Sequence, residues 1–510
     1  MRTMKLPLPL AVLLTIGASG AVASLPDPAK LPRSAPEAQG ISSNAIREFV
    51  EAADTQIDTM NSFMLVRHGH VVAEAWWAPY TAEAPHTFYS LTKSFTSTAV
   101  GFAVAEGKLS IDDTVVSFFP DAVPADASGH LKAMRIRDLL TMSTGHHADT
   151  ITDFFDAGLN DLPRRFLALP VAHKPGTHFV YNTPASQMLS EIVQKATGEK
   201  LADYLRPRLL DPLGIHGLHW AGTTDGVSLG GYGIAGRTED IAKFGLLYLQ
   251  KGEWQGRRLL PASWIEMATA RQTSNGSQPT SDWDQGYGFQ FWRTRHGLYR
   301  GDGAFGQYCI VFPEHDAVVA ITSGVRNMQA VMNLLWEKIL PALGPAALPT
   351  DDSAARALES TLAKLSVARP TGSATSSIAD RVSVKPYTLP SNAAEFEAVA
   401  FEFDHDHTSL TFTRNGEAHR INVGTTDWLG GVTSLFPQLS HDPLARATQP
   451  YAATGAWVDE TTYTAKIVLT ETPFYLTVKC RFGGKLVVLD VEQNVAFGPT
   501  KHPQLVGEQE

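Results

Sequence analysis

Three side chains in this sequence could carry chemistry together. Ser90 and Lys93 lie in Tyr89-Ser90-Leu91-Thr92-Lys93-Ser94, and Tyr181 lies in Pro175-Gly176-Thr177-His178-Phe179-Val180-Tyr181-Asn182-Thr183. A hydroxyl and an amine three residues apart project from one face of a helix. In the first turn the serine is exposed, and the backbone N–H groups and helix dipole favour a developing oxyanion. One turn further in, a lysine loses water, its pKa falls, and the neutral amine can take the serine proton. A phenol at the head of another helix, beside an ammonium, can relay a proton to a leaving group. Ser-x-x-Lys is a frequent chance pattern, and a lone buried tyrosine is more often a packed ring, so neither segment specifies the chemistry alone.

These groups need a scaffold, and the chain shows two textures. Residues 24 to about 345 mix strands and helices. Residues 63–66 and 71–76 flank a Gly-bearing turn and predict a hairpin. Helices are predicted over 90–105, closed by Gly107, and over 136–142, 185–196, 240–249 and 328–340. Strands are predicted over 287–292, 308–312 and 317–322. With strands first and last, one sheet built from both ends of the region is expected, with a helical insertion between. Residues 346–392 are rich in Ala, Ser, Thr and Pro, with a short helix over 358–365 and a linker over 370–379. Beyond about residue 382, alternating runs over 398–403, 409–414, 419–423, 463–469, 474–482 and 485–491 suggest an all-β sandwich or small barrel.

The chain has 510 residues, 44% hydrophobic and 18% charged, enough apolar material for full-sized cores in roughly two to four domains. A net charge of −10 speaks against a general nucleic-acid binder. Arg2 and Lys5, the apolar run 6–16 and Ala21-Val22-Ala23 read as a signal peptide ending at residue 23. The apolar run is shorter than the ~20 residues a spanning helix needs, so export without integral membrane association is expected. The two cysteines, Cys309 and Cys480, are expected to be buried thiols. His68 and His70, the pair His146-His147, and His405 with His407 are weighed as metal ligands, but turn and surface histidines explain them and no metal is expected. Gly226-Val227-Ser228-Leu229-Gly230 fits a G-x-S-x-G elbow, yet it sits in a glycine-rich loop without the strand and helix an elbow needs.

Taken in order along the chain, the segments resemble the serine beta-lactamase and penicillin-binding protein superfamily, most nearly its class C-like esterase and peptidase branch. The resemblance spans roughly residues 35–345. It is carried by Ser90-x-x-Lys93, by residues 136–145, by Pro175-Gly176-Thr177 before Tyr181-Asn182-Thr183, by Gly230-Gly231-Tyr232-Gly233, by residues 286–292, and by Gly303-Ala304-Phe305-Gly306-Gln307-Tyr308. It implies an α/β (α+β) beta-lactamase-like domain over 24–350, in which a helical subdomain and flanking helices accompany an antiparallel sheet. A linker over 351–380 and an all-β, lipocalin-like domain over 381–510 follow. It further implies that Ser90 is the acylated nucleophile, Lys93 its base and Tyr181 the proton shuttle, with no cofactor.

Two departures accompany it. Thr183 stands where the superfamily usually has Asn, a variant similar to 6-aminohexanoate-dimer hydrolase and esterase relatives, and Tyr299-Arg300-Gly301 stands in place of Lys-Thr-Gly. Thr183, Arg300, Gly301 and Asp302 are therefore expected to border the substrate. Arg300 would be either a carboxylate clamp or a solvated strand-end charge, and Asp302 the candidate for the second oxyanion N–H. The expected function is hydrolysis of a peptide-like amide in a small molecule or short peptide. The alternatives are a carboxylesterase or 6-aminohexanoate-oligomer-type hydrolase and, third, a beta-lactamase or a non-catalytic penicillin-binding sensor.

Overall fold

The computed structural model describes residues 30–156, 158–383, 385–404, 407–436 and 448–509; the signal-peptide expectation over 1–23, His405 and Asp406 lie outside them. Six strands form an antiparallel sheet: β1 (Met60–Arg67), β2 (His70–Trp76), β3 (Trp292–Arg293), β4 (Tyr299–Gly303), β5 (Gln307–Phe312) and β6 (Ala317–Ser323). Their order is β2-β1-β6-β5-β4-β3, so β1 from the start of the region pairs with β6 from its end. β1, β5 and β6 are buried along their whole length. Both faces are covered, so residues 63–66, 308–312 and 317–321 of these strands read as apolar runs rather than alternating ones.

The covering helices are α1 (Ser43–Gln56), α2 (Thr92–Ala105), α3 (Thr183–Thr197), α4 (Thr238–Leu249) and α5 (Met328–Leu334). Successive strand residues point to opposite faces and separate two cores. Met64, Val66, Val318 and Ala320 pack with α2, α3 and α4, while Phe63, Leu65, Val319 and Ile321 pack with α1 and α5. α2 is an interior helix, buried from Thr92 to Ala103, and its small residues permit close approach. A Cβ on Gly101 would stand 2.5 Å from the Trp264 indole nitrogen.

Two elements differ from their sequence-based expectation. Ser90 precedes the helix proper and lies in a tight turn over Tyr89–Leu91 that feeds α2. The strand expected over 287–292 shrinks to Trp292–Arg293, because Gln290 has φ 62° and turns the chain. Within 351–380, α6 (Asp352–Leu362) is capped by the Asp351 carboxylate and buries Leu358 in the α1-side core. Ser366 then pairs with Ala78, and Ser373 with Trp457, so this stretch is tied to both neighbouring units.

The C-terminal strands are β7 (Tyr387–Thr388), β8 (Phe396–Phe403), β9 (His407–Arg414), β10 (Glu417–Gly424), β11 (Leu429–Thr433), β12 (Gln449–Trp457), β13 (Thr462–Leu469), β14 (Tyr475–Gly483), β15 (Leu486–Gln493) and β16 (Leu505–Glu508). They run β10-β9-β8-β7-β16-β15-β14-β13-β12-β11 and close where Gly424 of β10 meets Thr454 of β12, giving a barrel with its own apolar core. Cys309 is buried in the sheet core and Cys480 in the barrel core, both as free thiols.

The barrel docks on the sheet domain beside the Tyr89–Leu91 turn. Thr87 N–H donates to the Glu471 carbonyl at 3.0 Å, Tyr80 hydroxyl to the Thr472 carbonyl at 3.0 Å, and Arg326 Nε to the Asn494 carbonyl at 3.0 Å.

Candidate active site

Ser90, Lys93, Tyr181 and Thr183 come together where the starts of α2 and α3 meet. Lys93 is 1% exposed, and its Nζ lies 3.2 Å from Ser90 Oγ, 3.3 Å from Thr183 Oγ1 and 2.8 Å from the Gly231 carbonyl oxygen. Desolvation pushes the Lys93 pKa down to about 7, against the pull of Asp149 and Asp302 in the other direction. Nothing larger than glycine fits at 231: a Cβ there would stand 2.7 Å from Thr183 Cγ2 and 3.4 Å from Lys93 Nζ.

Tyr181 lies just before α3, with its ring stacked on Trp292 at 5.2 Å and edge-on to Tyr287 at 6.3 Å. Lys93 Nζ sits 5.1 Å from the ring centroid, and the phenol lies beside the Ser90 hydroxyl. Burial and then the nearby Asp302 charge push its pKa well up, so the group is a phenol and not a phenolate. The site therefore holds one titratable base near neutrality, Lys93, and one neutral hydroxyl able to pass a proton.

Asn182 and Thr183 divide their work. Asn182 is fully buried, and its side-chain oxygen accepts from Thr150 Oγ1 at 3.0 Å, which fixes the loop before it. Thr183 Oγ1 accepts from Lys93 Nζ, and Thr183 N–H donates to Asp149 Oδ1 at 3.2 Å. Asp149 also accepts from Ile151 N–H at 3.1 Å. Burial raises its pKa while Lys93 and the backbone donors lower it. The sequence reading missed Asp149, because a single acid in a loop carries no pattern; only its place between Gly145 and Tyr181 could have pointed to it. Trp292 and Tyr287 pack on the Tyr181 ring and the Gly231 carbonyl accepts from Lys93, contacts that motif position alone does not reveal.

The clamp expected of Arg300 is corrected. Arg300 is fully buried, its Nε donates to Asp302 Oδ2 at 2.9 Å, and its Nη1 donates to the Asp282 carbonyl at 2.8 Å. Trp283 and Trp292 lie against the guanidinium, 4.5 and 5.7 Å from its central carbon. It is neither a solvated strand-end charge nor open to a substrate carboxylate, because residues i and i+2 of a strand share a face and pair there. Asp302 is 6% exposed; burial raises its pKa against that pairing, and its field reaches Lys93 and Tyr181. Gly301 faces α2, where a Cβ would stand 2.5 Å from Leu91 Cδ1 and 2.6 Å from Ser94 Oγ. It lets β4 lie close against α2.

The rival groups have other partners. Ser228 is buried, and its hydroxyl accepts from Ala202 N–H at 3.2 Å. Burial pulls the His146 pKa down to about 4, and its Nδ1 meets Thr144 Oγ1 at 2.8 Å. His147 faces His173 at the surface, with 3.4 Å between ring nitrogens. His70 Nδ1 sits 2.9 Å from the His68 carbonyl. Among the described residues, no group of three or more His, Cys, Asp or Glu side chains could hold a metal ion.

Comparison with known proteins agrees with this architecture. The Beta-lactamase family profile matches residues 44–341, more than half of the chain, and the chain belongs to that family, within the serine beta-lactamase and penicillin-binding protein superfamily. It is 25% identical over 283 residues to the 6-aminohexanoate-dimer hydrolase of Paenarthrobacter ureafaciens, covering 51% of this chain and 71% of that one. It is 26% identical over 166 residues to Protein flp of Staphylococcus aureus strain MW2, covering 30% of this chain. The match spans only 33% of that relative's own length. A solved structure from Bacillus anthracis, provisionally described as a 6-aminohexanoate-dimer hydrolase, shares the fold with TM-score 0.51 at 19% identity, over 63% of this chain and 89% of that one. The molecule thus has the beta-lactamase fold and carries a C-terminal β-barrel.

Proposed function

We propose that this chain is an exported serine hydrolase that cleaves amide bonds in small molecules or short peptides through an acyl-enzyme on Ser90. One observation carries the reading: a buried Lys93 amine, with its pKa near 7, stands 3.2 Å from the Ser90 hydroxyl. Neutral Lys93 takes the Ser90 proton as Oγ bonds to the substrate carbonyl carbon. The helix-start N–H groups face the developing oxyanion. The proton then passes from the Lys93 ammonium through the Tyr181 hydroxyl to the leaving nitrogen, and the C–N bond breaks. A water molecule attacks the acyl ester, Lys93 takes its proton, and Ser90 leaves with a proton as the acid is released.

The preference for an amide is supported by the relatedness to 6-aminohexanoate-dimer hydrolase. Arg300 lends it no support, being buried in its pair with Asp302. Export is inferred from the basic, apolar and small-residue pattern over 1–23; among the described residues, no helix is long and apolar enough to cross a membrane.

Intact-mass spectrometry with a fluorophosphonate probe tests the nucleophile: one adduct on the wild type and none on Ser90→Ala supports Ser90. Turnover of short amides, esters and a chromogenic cephalosporin then tests the bond class. Ester turnover without amide turnover would replace the amide reading with the carboxylesterase.

A further inference from the structure

Tyr89, immediately before the nucleophile, has φ 47°, a left-handed conformation that a bulky residue adopts only when its surroundings enforce it. Its ring is 4% exposed and belongs to the core of the C-terminal barrel, not to the sheet domain that carries Ser90. Three phenylalanines meet it edge-on: Phe305 at 5.7 Å, Phe474 at 6.5 Å and Phe497 at 5.8 Å.

Phe305 is a second bulky residue with positive φ, 66°, in the turn that follows β4. That turn is anchored by Ser323 Oγ and Val325 N–H, which donate to the Phe305 carbonyl at 2.9 and 3.0 Å. Its ring touches Phe474 at 5.5 Å and Phe497 at 4.7 Å. Phe474 and Phe497 come from the segments flanking β14 and β15. The barrel thus supplies two of the four rings that join the nucleophile turn to the β4–β5 turn.

We propose that Phe474 and Phe497 are positioning residues, and that the barrel sets the geometry of Ser90 by holding the Tyr89 turn. The inference rests on the reading of Ser90 as nucleophile. Neither phenylalanine is assigned a contact with substrate. Each acts through the Tyr89 backbone, whose conformation decides where Ser90 Oγ sits relative to Lys93 Nζ.

The test is the second-order rate of fluorophosphonate labelling per active site, with the melting temperature and the pH midpoint of labelling. It uses the full-length wild type, Phe474→Leu, Phe497→Leu, the double variant, Phe474→Tyr and Ser90→Ala. The double leucine variant keeps apolar bulk but loses both ring edges, and should label about tenfold more slowly with an unchanged pH midpoint. Phe474→Tyr, which keeps the ring, should restore most of the rate to the single variant. In a Tyr89→Gly background, where positive φ needs no support, the two leucine substitutions should have no further effect.

A purely structural role would lower the melting temperature and the number of active sites while leaving the rate per site at the wild-type value, and that outcome overturns the proposal. So does an equal fold-loss in the Tyr89→Gly background. Labelling that persists in Ser90→Ala overturns the Ser90 reading itself, and this inference with it.

Discussion

Lys93 Nζ stands 3.2 Å from Ser90 Oγ in a site where the lysine is 1% exposed. Distance alone would give a hydrogen-bonded ammonium, which cannot accept a proton. Burial makes the difference: with the pKa lowered to about 7, the neutral amine is accessible near neutral pH and faces the hydroxyl. Tyr181, pushed the other way, keeps its proton and can only pass one on.

Lys93→Arg should abolish this base. A guanidinium stays protonated throughout the accessible pH range, so labelling and turnover should fall by about 100- to 10,000-fold. Stopped-flow labelling with a chromogenic ester reads the loss, and a variant that retains most of its rate would remove Lys93 from the mechanism.

The pH profile follows from the same group. Acylation should rise with pH through a midpoint near 7, as the ammonium gives up its proton. Stability shares the sign. The Lys93 pKa in the fold lies below the ordinary 10.5, so between about 7 and 10.5 the unfolded chain binds more protons and stability increases with pH. Lys93→Met, which has no charge to bury, should therefore unfold at a higher denaturant concentration at pH 7, by about 1–2 kcal/mol, while being inactive. Chemical denaturation at several pH values checks both statements.

Asp149 tunes this midpoint. Its carboxylate raises the Lys93 pKa, so Asp149→Asn should move the acylation midpoint to lower pH. Asparagine keeps a side-chain oxygen that can accept from Thr183 N–H, which separates the charge from the hydrogen bond. A midpoint that moves up, or stays fixed, would show that the Asp149 charge does not reach the amine.

Arg300 should behave as a structural residue. Arg300→Met leaves Asp302 buried without its partner and should cost about 3–5 kcal/mol, measured as a lower denaturation midpoint. Arg300→Met with Asp302→Asn should recover much of the stability. A variant that folds as well as wild type and shows only a raised KM would instead restore the carboxylate clamp.

Some of this was legible in the sequence. The three-residue spacing of Ser90 and Lys93 survives into the structure because a helical turn fixes it locally, whatever surrounds it. The alternating runs beyond residue 382 pointed to an all-β unit, since burial on one face imposes a period of two, but they left a sandwich and a small barrel open; closure at Gly424 and Thr454 makes it a barrel. The strand at 287–292 failed because the left-handed turn at Gln290 carries no glycine to announce it.

What the tertiary structure alone decided is chemical character. Lys93 meets Thr183 across 90 residues of sequence and the Gly231 carbonyl across 138, and the dryness that shifts its pKa is a sum over such distant segments. Arg300 reads as a candidate clamp by motif position, but pairing along one strand face and two tryptophans close it to substrate. Tyr89 and Phe474 lie in different units, and only the docking of the barrel brings their rings together. Sequence spacing dictates which groups a helix or strand presents, whereas desolvation and long-range packing dictate which of them hold a proton and where they point.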